Sequence, residues 1–439
     1  MAKKKPNIRF KGFEEEWKEK PFSETYLSAS EGGTPSTSVS EYYEGGTIPF
    51  VKIEDTEQKY IHDTNSHITE KGMNNSSAWL VPSDNIIFTN GATIGNVAIN
   101  KVPVTTKQGV LGVIHDKDKF DLEYLYYALS TDKFQSEVVK RQSKGTFATI
   151  ILKNLDKIDV PFTDPSEQQK IGEFFKQLDE LIGAKEEELE KLRQIKLALL
   201  DKMFPSDNQD VISINGGGYN YLIFSELSKD LVMTIPAPNT PAIRFRGFTE
   251  PWKNCPITQR VAFGKGRGYS KASLESEGTP ILLYGMMYTD YCTNITSVNR
   301  FAQKRDWTVL SKGNEVVVPA SGETAEDIAR ASAVLNDGVI LGGDLNVIYP
   351  DHTLYPPFLA LELTYGRSHR KLVKKAQGIS VVHLHNSDIA ELYISIPSYD
   401  EQEKIGDFFR QLDEAISSSE LQIEKLKNIK QACLQQMFA

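Results

Sequence analysis

The stretch EQQKIGEFFKQLDE occupies residues 167–180, and a near copy, EQEKIGDFFRQLDE, occupies residues 401–414. The two copies lie 234 positions apart, since 401 minus 167 is 234. A second pair lies at almost the same offset: IRFKGF at residues 8–13 recurs as IRFRGF at residues 243–248, and a Trp-Lys pair follows each. Two long matches at one offset do not arise by chance, so the chain is a tandem duplication.

The repeated stretches enclose two inserts that differ from each other in sequence. Residues 20–160 of the first half and residues 255–395 of the second half share little beyond their general pattern. We call the repeated stretches, at 8–13, 167–180, 243–248 and 401–414, the frame of the chain. Because the frame is repeated and the inserts are not, the two halves are expected to share one geometry and to contact different partners. We therefore interpret the frame as structural and the inserts as two different recognition surfaces.

Each copy of the first stretch opens a long amphipathic helix. Asp164, Pro165 and Ser166 provide a cap and a first-turn proline, and the apolar spacing predicts a helix from Ser166 to Phe204. Its apolar residues are spaced by three, four and seven positions, which is typical of an a/d seam. The residues predicted to serve helix packing or partner contact are Ile171, Phe174, Leu178, Leu189, Leu192, Ile405, Phe408, Leu412, Ile423 and Leu426.

Two helices with apolar seams are expected to pair with each other. Because a globular insert separates them, an antiparallel pair would place the inserts at opposite ends of a rod about 57 Å long, at 1.5 Å per residue. Two separate helical hairpins, or a dimerisation coil, are the alternatives. Gly183-Ala184 and Ser417-Ser418-Ser419 lie at the midpoint of each helix and indicate a kink or a close approach.

Each insert is expected to mix helices and strands. Short apolar runs predict strands at 48–53, 85–88, 96–99, 110–114, 281–284, 315–318, 339–341 and 346–349. One helix follows in each insert, from Leu122 to Val139 and from Pro357 to Lys375. Residues 205–241, which include three consecutive glycines and several prolines, are typical of a linker.

The composition excludes several functional classes. Cys255, Cys292 and Cys433 are odd in number and far apart, which fits a reducing compartment and argues against a disulfide framework or a cysteine-rich zinc site. No apolar run reaches the length of a membrane span. The basic N-terminus lacks the apolar stretch that would follow in a signal peptide.

The sequence contains no recognisable reaction centre. It has neither a GxxxxGK[ST] phosphate loop nor an HExxH zinc motif. It also lacks the Asp/Asn-Pro-Pro-aromatic sequence that amino-methyltransferases use around a flipped base. His383 and His385 share a strand face but suggest no third metal ligand. A recognition protein without chemistry of its own is therefore the leading hypothesis. A self-contained nuclease or methyltransferase with a cryptic site and a pure interaction scaffold are the alternatives.

The net charge of −9 argues against nucleic-acid binding, but the charge is unevenly distributed along the chain. Residues 242–399 hold 17 basic and 15 acidic side chains, a difference of +2. Residues 1–165 hold 20 basic and 23 acidic side chains, a difference of −3, and the remaining acidic excess lies in the helices and the linker. The local patch matters more than the charge of the whole chain, so nucleic acid is not excluded.

Each predicted insert helix ends in a cluster of cations before a glycine turn. Cations at a helix end, together with the N–H groups of a glycine turn, are what phosphate contacts require. Cations at a helix C-terminus also serve as simple caps, but recurrence in both halves favours nucleic acid. The candidate residues are Lys140, Arg141, Lys144 and Thr146 in the first half and Arg370, Lys371, Lys374 and Lys375 in the second.

Three further loops carry polar side chains suited to base edges. Asn and Gln pair with adenine, and Arg or Lys pairs with guanine. Loops of this kind are more often ordinary surface turns than base readers, and that interpretation stays open for each of them. The candidates are Asn90 and Thr93 around the GATIG loop, Lys107 and Gln108 before a strand, and Lys265, Arg267 and Tyr269 in the KGRGY loop.

Together these motifs resemble the specificity subunit of type I restriction–modification systems over essentially the whole chain. The resemblance rests on the Ile8–Phe13 opening, the Pro165-x-Glu167-Gln168 helix start, their copies, and the GGTP run at 32–35 with GATIG at 91–95. It implies an α+β fold: two globular mixed α/β target recognition domains joined by two long antiparallel coiled-coil helices, with an internal pseudo-two-fold repeat. The implied boundaries are 1–163 and 242–396 for the target recognition domains, 164–204 and 397–439 for the helices, and 205–241 for the linker.

The resemblance also implies a function and partners. Each target recognition domain would read one half of a split, asymmetric site in double-stranded DNA. The helices would set the spacer and recruit modification (methyltransferase) and restriction (translocase–nuclease) subunits. The chain itself would be a non-catalytic cytoplasmic protein without membrane, metal or cofactor, because S-adenosylmethionine, ATP and Mg²⁺ would belong to the partner subunits. Its linker, which includes an apolar stretch at 221–224, is longer than the family leads us to expect.

Overall fold

The computed structural model describes residues 6–143, 148–204, 230–234, 239–289, 291–376 and 381–438. The chain divides into two compact units. Unit 1 comprises Met1–Glu187 and Leu421–Ala439, and unit 2 comprises Glu188–Glu420. The candidates Lys144 and Thr146, the glycine turns after both cation clusters, and the linker residues 205–229 and 235–238 lie outside the described residues.

Unit 1 is built from eleven described strands and the helices between them. The strands are β1 (Lys18–Pro21), β2 (Tyr26–Glu31), β3 (Ile48–Val51), β4 (Tyr60–Ile61), β5 (His67–Ile68), β6 (Leu80–Val81), β7 (Asn85–Thr89), β8 (Val97–Asn100), β9 (Val104–Thr106), β10 (Val110–His115) and β11 (Asp159–Phe162). The helices are α1 (Glu70–Asn74), α2 (Leu122–Leu129), α3 (Asp132–Arg141), α4 (Leu152–Leu155) and the start of α5 (Pro165–Met203), with 3₁₀ turns at Phe22–Glu24, Ser40–Tyr42 and Ile53–Glu57.

Unit 2 follows a similar element order and contains additional short strands and one additional short helix. Its strands are β12 (Leu231–Met233), β13 (Ile243–Phe245), β14 (Lys253–Pro256), β15 (Val261–Lys265), β16 (Thr279–Leu282), β17 (Asn294–Ile295), β18 (Phe301–Ala302), β19 (Leu310–Lys312), β20 (Glu315–Pro319), β21 (Ser321–Gly322), β22 (Ser332–Val334), β23 (Asp337–Leu341), β24 (Leu345–Pro350), β25 (Val382–His383) and β26 (Tyr393–Ile396). Its helices are α6 (Met286–Thr289), α7 (Ala325–Ile328), α8 (Pro356–Tyr365), α9 (Arg367–Lys375), α10 (Asn386–Ala390) and the start of α11 (Tyr399–Met437), with 3₁₀ turns at Ile257–Gln259 and Lys271–Ser273.

The two units share one sheet topology. A five-stranded sheet has the order β2-β10-β7-β8-β4 in unit 1 and β15-β24-β20-β22-β17 in unit 2. A four-stranded sheet has the order β5-β3-β9-β6 in unit 1 and β18-β16-β23-β19 in unit 2. The parallel pairs also correspond, since β4 pairs with β8 as β17 pairs with β22. The divergent inserts therefore fold alike, and the predicted mixed α/β architecture is confirmed.

The predicted strands all exist, but each predicted insert helix is two helices. The run from Leu122 to Val139 breaks before Thr131, whose hydroxyl accepts a hydrogen bond from the N–H of Phe134 at 3.3 Å and so caps a new helix. The run from Pro357 to Lys375 breaks at Gly366, where a Cβ would lie 2.0 Å from Oε2 of the buried Glu362. Apolar periodicity alone did not reveal either break.

The two long helices begin near the predicted positions. Helix α5 starts at Pro165, and the Asp164 carboxylate accepts a hydrogen bond from the N–H of Ser166 at 2.9 Å. None of the ten predicted seam residues is exposed. The most deeply buried aromatic residues of the helices are Phe175 and Phe409, which the prediction omitted. The suggestion of a close approach at Gly183 is wrong, because a Cβ there would meet no atom within 4 Å.

Within unit 1 the first part of α5 runs antiparallel to the last part of α11. Lys427 forms an ion pair with Glu186 at 2.7 Å, and Lys430 forms one with Asp179 at 2.6 Å. The residue numbers rise along one helix as they fall along the other, which defines the antiparallel direction.

Unit 2 contains the same pairing between the last part of α5 and the first part of α11. Arg193 pairs with Glu420 at 2.6 Å, and Lys196 pairs with Asp413 at 2.5 Å. Each of these residues is the counterpart, 234 positions away, of a residue in the ion pairs of unit 1. The antiparallel pairing is therefore confirmed within each unit. Separate helical hairpins are excluded for the described residues, because each pairing joins helices from different halves of the chain.

The repeated Ile-Arg-Phe motif packs on the start of a long helix in each unit. The Arg9 guanidinium donates to Glu167 Oε1 at 2.6 Å and to Oε2 at 2.8 Å. Arg244 donates to the two oxygens of Glu401 at 2.6 and 2.7 Å. Both carboxylates are fully buried. A buried carboxylate requires such a partner, which explains why Arg and Glu occur together in both copies.

The glutamine after each buried glutamate ties the helix start to the rest of its unit. The Gln168 side chain accepts from the N–H of Asp121 and donates to the carbonyls of Lys119 and Thr163, at 2.8–3.0 Å. Gln402 makes the equivalent bonds to Tyr355, Thr353 and Pro397. The Glu-Gln pair of the repeat is thus a structural joint that fixes each insert on its helix.

The end of each long helix packs on the tryptophan of the opening motif. Phe438 lies 6.0 Å from Trp17 in unit 1, and Phe204 lies 5.9 Å from Trp252 in unit 2, measured between ring centroids. The described end of the predicted linker also joins unit 2, because β12 pairs with β13. Each compact unit therefore includes the start of one long helix and the end of the other.

Candidate nucleic-acid interface

The cation cluster of unit 1 lies at the end of α3, and acidic side chains already occupy it. Lys140 pairs with Glu137 at 2.8 Å, and Arg141 donates to the same carboxylate. These hydrogen bonds, first from Lys140 and then from Arg141, lower the pKa of Glu137 to about 2. Lys133, one helical turn further back, pairs with Glu19 at 3.3 Å. The described cations of this cluster are therefore locally neutralised.

The cation cluster of unit 2 lies on α9 and differs in this respect. Arg370, Lys371 and Lys374 are exposed, and no ion pair engages them among the described residues. Lys374 lies four residues after Arg370 and three after Lys371, so it neighbours both on the helix surface and the three charges form one patch. Lys375 is paired with Glu391, and Lys371 lies 5.8 Å from the ring centroid of the exposed Tyr393. An unneutralised patch of this kind is suited to phosphate groups.

The structure brings two candidate loops of unit 1 together. The N–H groups of Asn90 and Gly91 both donate to the carbonyl of Gly109, at 3.0 and 3.2 Å. Thr93 and Gln108 are exposed on these adjoining loops, and Lys107 is half-buried. Asn90 is buried, and its amide donates to the carbonyl of Ile150 at 3.3 Å. Asn90 therefore shapes the loop pair, while Thr93 and Gln108 face outward.

The KGRGY loop of unit 2 separates into two roles. Lys265 and Arg267 are exposed, as a DNA contact requires. Tyr269 is only 4% exposed, and its hydroxyl is bonded to the carbonyl of Gln303 at 3.0 Å and to Thr308 Oγ1 at 2.6 Å. A ring held this deeply offers no face to DNA, so the proposed contact by Tyr269 is corrected to a supporting role.

One exposed aromatic beside this loop escaped the sequence reasoning. Trp307 follows Lys304, Arg305 and Asp306, and its ring packs against Tyr269 with the centroids 5.0 Å apart. The sequence carried a signal, because two adjacent cations and an aromatic lie close to the basic KGRGY loop in the fold, but only the structure brings the two segments together. Lys304 and Arg305 lie on a loop, whereas both cation clusters predicted from the sequence lie at helix ends.

The described residues contain no group of His, Cys, Asp and Glu side chains arranged to hold a metal ion. Cys255 and Cys433 are free thiols. His383 and His385 are exposed, and their parallel rings lie 6.4 Å apart between centroids. Across the parts of the chain that the structure covers, no helix combines the length and apolar content needed to cross a bilayer.

Comparison with known proteins places both units in one family. A family profile described as "Type I restriction modification DNA specificity domain" matches residues 14–194 and 249–428, well over half of the chain. The type I restriction enzyme MjaIX specificity subunit of Methanocaldococcus jannaschii is 29% identical over 418 residues. That alignment covers 92% of this chain and 88% of the relative.

Solved structures show the same fold. The crystal structure of the type I restriction–modification system S subunit from M. genitalium has a TM-score of 0.60, with 14% identity and 99% coverage of both chains. A chain described under "Structural basis underlying complex assembly and conformational transition of the type I R-M system" has a TM-score of 0.52. Its identity is 14%, with coverage of 96% of this chain and 97% of that one. At these identities the likeness concerns the fold alone.

Proposed function

This chain belongs to the family of type I restriction–modification DNA specificity proteins, and from that premise we propose how its two units divide the reading of DNA. It is a specificity subunit with two target recognition domains. Each unit reads one half of an asymmetric, bipartite site in double-stranded DNA. The observation that carries this proposal is that the units share one topology and one frame but carry different exposed side chains.

The paired helices α5 and α11 act as the spacer of the bipartite site. The same ion pairs recur in both units, with Asp179 and Lys430 in unit 1 and Asp413 and Lys196 in unit 2. A helix held along its length by such contacts keeps a constant rise of about 1.5 Å per residue. Its length would therefore translate directly into the number of unread base pairs between the half-sites.

The chemistry belongs to partner subunits. The chain recruits modification (methyltransferase) subunits and, through them, restriction (translocase–nuclease) subunits. S-adenosylmethionine, ATP and Mg²⁺ would be bound by those partners, and methylation would be of adenine. Support comes from the name of the M. jannaschii relative, which is a specificity subunit of a type I restriction enzyme. The chain itself is then non-catalytic.

Reconstitution with the cognate modification subunits tests the proposal. Methylation should appear at a split sequence motif, and the purified chain alone should methylate and cleave nothing. Replacing residues 20–160 with the insert of another specificity protein should change one half of the motif and leave the other half intact. Methylation by the chain alone would overturn the non-catalytic assignment, and an unchanged motif after the swap would identify a scaffold instead of a reader.

The spacer role has its own test. Insertion of one helical turn of about four residues into both α5 and α11 should lengthen the unread spacer while preserving both half-sites. Sequencing of methylated sites in a host that carries the variant measures the spacer directly. A spacer of unchanged length would remove the helices from that role.

A further inference from the structure

The surface of unit 2 presents a stack of three side chains, in which Arg305 lies over the packed rings of Tyr269 and Trp307. The Cζ atom of the Arg305 guanidinium lies 5.3 Å from the ring centroid of Tyr269 and 5.3 Å from that of Trp307. Trp307 is 38% exposed and packs on the buried Tyr269. The exposed indole lies against the Arg305 cation, an arrangement in which the ring attracts the charge.

The backbone around this stack is shaped to receive the indole. Gly268 has a φ of +58°, and a Cβ at this position would lie 2.7 Å from the Trp307 ring. Glycine is therefore required twice, by the left-handed backbone and by the close approach. The loop that precedes Tyr269 is thus built around Trp307.

Hydrogen bonds fix the stack from below. Thr308 Oγ1 accepts a hydrogen bond from the Arg305 N–H at 2.8 Å and lies 2.6 Å from the Tyr269 hydroxyl. The Tyr269 hydroxyl also donates to the Gln303 carbonyl at 3.0 Å. The backbone of Arg305 and the ring beneath its side chain are therefore held by one hydroxyl group. A guanidinium placed this way loses little further freedom on binding.

The Arg305 guanidinium has no carboxylate partner among the described residues. Among the described residues no ion pair or side-chain hydrogen bond engages its guanidinium, and the side chain is exposed. The neighbouring Glu275 accepts from Gln303 at 3.0 Å instead. Lys304 and Arg267 are also exposed, and with Arg305 they outnumber the adjacent exposed acid Asp306, so the local charge favours an anionic partner.

Unit 1 has no such stack at the equivalent position. Trp307 lies three residues before β19, and the residue three before β6, its counterpart strand, is Ser77. There the loop residue is Gly33, and a Cβ at Gly33 would lie 2.0 Å from the Ser77 hydroxyl oxygen. The same loop-to-loop contact exists in both units, but only unit 2 places an aromatic and a cation on it. The two units therefore differ at this exposed position, as expected if each unit recognises a different DNA sequence.

We propose that Arg305 reads a guanine in the half-site recognised by unit 2, through paired hydrogen bonds to O6 and N7 in the major groove. Tyr269 and Trp307 are positioning residues, because their rings pack against the guanidinium and restrict where it can lie. A planar, stacked guanidinium with unengaged donors matches the two acceptors of that base. This inference rests on the proposed function, because it names one base-reading residue of that same site.

The test uses the complete chain assembled with its modification subunits. Methylation is measured on a library in which each half-site position carries each of the four bases. Arg305→Ala should reduce discrimination at one G·C pair of one half-site by about fivefold to 100-fold. The other positions should be unchanged. Arg305→Lys should restore little, because an ammonium lacks the paired donors, and Trp307→Ala should weaken discrimination at the same position.

Lys253→Ala is the matched control, since Lys253 is an exposed cation on the frame strand β14 of the same unit. Thermal unfolding of each variant, compared with the parent chain, confirms that the fold is intact. Unchanged discrimination at every position in Arg305→Ala would overturn the inference. So would a uniform loss across all sequences, which would mark a phosphate contact. A parent complex that selects no motif would instead refute the proposed function itself.

Discussion

The ends of α3 and α9 occupy the same place in the repeat but differ in electrostatic state. In unit 1 a single carboxylate, Glu137, engages both Lys140 and Arg141. In unit 2 three exposed cations on α9 have no such partner among the described residues. Equivalent positions in a duplicated chain therefore do not guarantee equivalent surfaces. A cluster of basic residues in the sequence therefore indicates a nucleic-acid interface only when no nearby carboxylate forms ion pairs with it.

The frame of the two units shows the opposite behaviour. The ion pair of Arg9 with Glu167 and that of Arg244 with Glu401 have almost the same geometry. The duplication has thus retained the contacts that assemble each unit while the exposed residues diverged. Burial explains the contrast, because a buried charge that loses its partner is far more costly than an exposed one.

The largest expected effect tests whether the buried Arg–Glu pair stabilises unit 1 and unit 2 to a similar extent. Glu401→Ala would leave the guanidinium of Arg244, which is 3% exposed, without a counter-charge, and we expect unit 2 to lose about 3–5 kcal/mol of stability. Glu167→Ala should have a similar but somewhat smaller effect on unit 1, because Arg9 is 11% exposed and can be partly hydrated. Hydrogen exchange resolved by unit measures both losses.

Glu403→Ala serves as the control for this comparison, because Glu403 is exposed on the same turn of α11. It should change the protection of either unit very little. If Glu401→Ala and Glu403→Ala behaved alike, the buried pair would not stabilise the frame as described.

A second prediction is that the stability of the two units depends differently on pH. Burial raises the pKa of Glu362 in unit 2 to about 8 from its ordinary value of 4.5, and the counterpart in unit 1, 234 positions earlier, is Ala128. The folded state then holds a proton that the unfolded state releases. The stability of unit 2 should fall as the pH rises from the ordinary carboxyl range to about 8, by up to about 1.4 kcal/mol per pH unit.

Glu362→Gln should flatten this dependence in unit 2, because the amide cannot ionise. Unit 1 provides the internal reference, since it lacks an acid at this position. Exchange rates that show the same pH dependence in the variant and the parent would exclude Glu362 as the source.

The smallest expected effect concerns the two cation clusters. Replacement of Arg370, Lys371 and Lys374 by Ala should weaken DNA binding about tenfold and reduce the salt dependence of binding by about 2–3 counterions. Replacement of Lys140 and Arg141 should change the salt dependence much less, because Glu137 already neutralises them. Binding titrations of the assembled complex at several salt concentrations compare the two. If both sets of substitutions weakened DNA binding equally, Lys140 and Arg141 would have to leave Glu137 and contact DNA.

Some of these distinctions could have been predicted from the sequence. Glu137 lies three and four residues before Lys140 and Arg141, a spacing that favours ion pairs on a helix. The capping hydroxyl of Thr131 and the glycine at 366 were also visible as signals of a helix break. The pairing of Lys375 with Glu391 was not predictable, because no local rule relates residues 16 positions apart on different elements.

The sequence by itself determined the duplication, the two long helices, eight of the central strands and the family of the protein. These properties depend on periodicity and on repeated motifs, which are local or can be compared directly along the chain. Only the tertiary structure decided which cations stay unpaired, that Tyr269 is buried, and that Trp307 and Arg305 form the exposed stack. Those outcomes depend on contacts between distant residues, and the side chain that covers or neutralises another is set by packing and not by spacing.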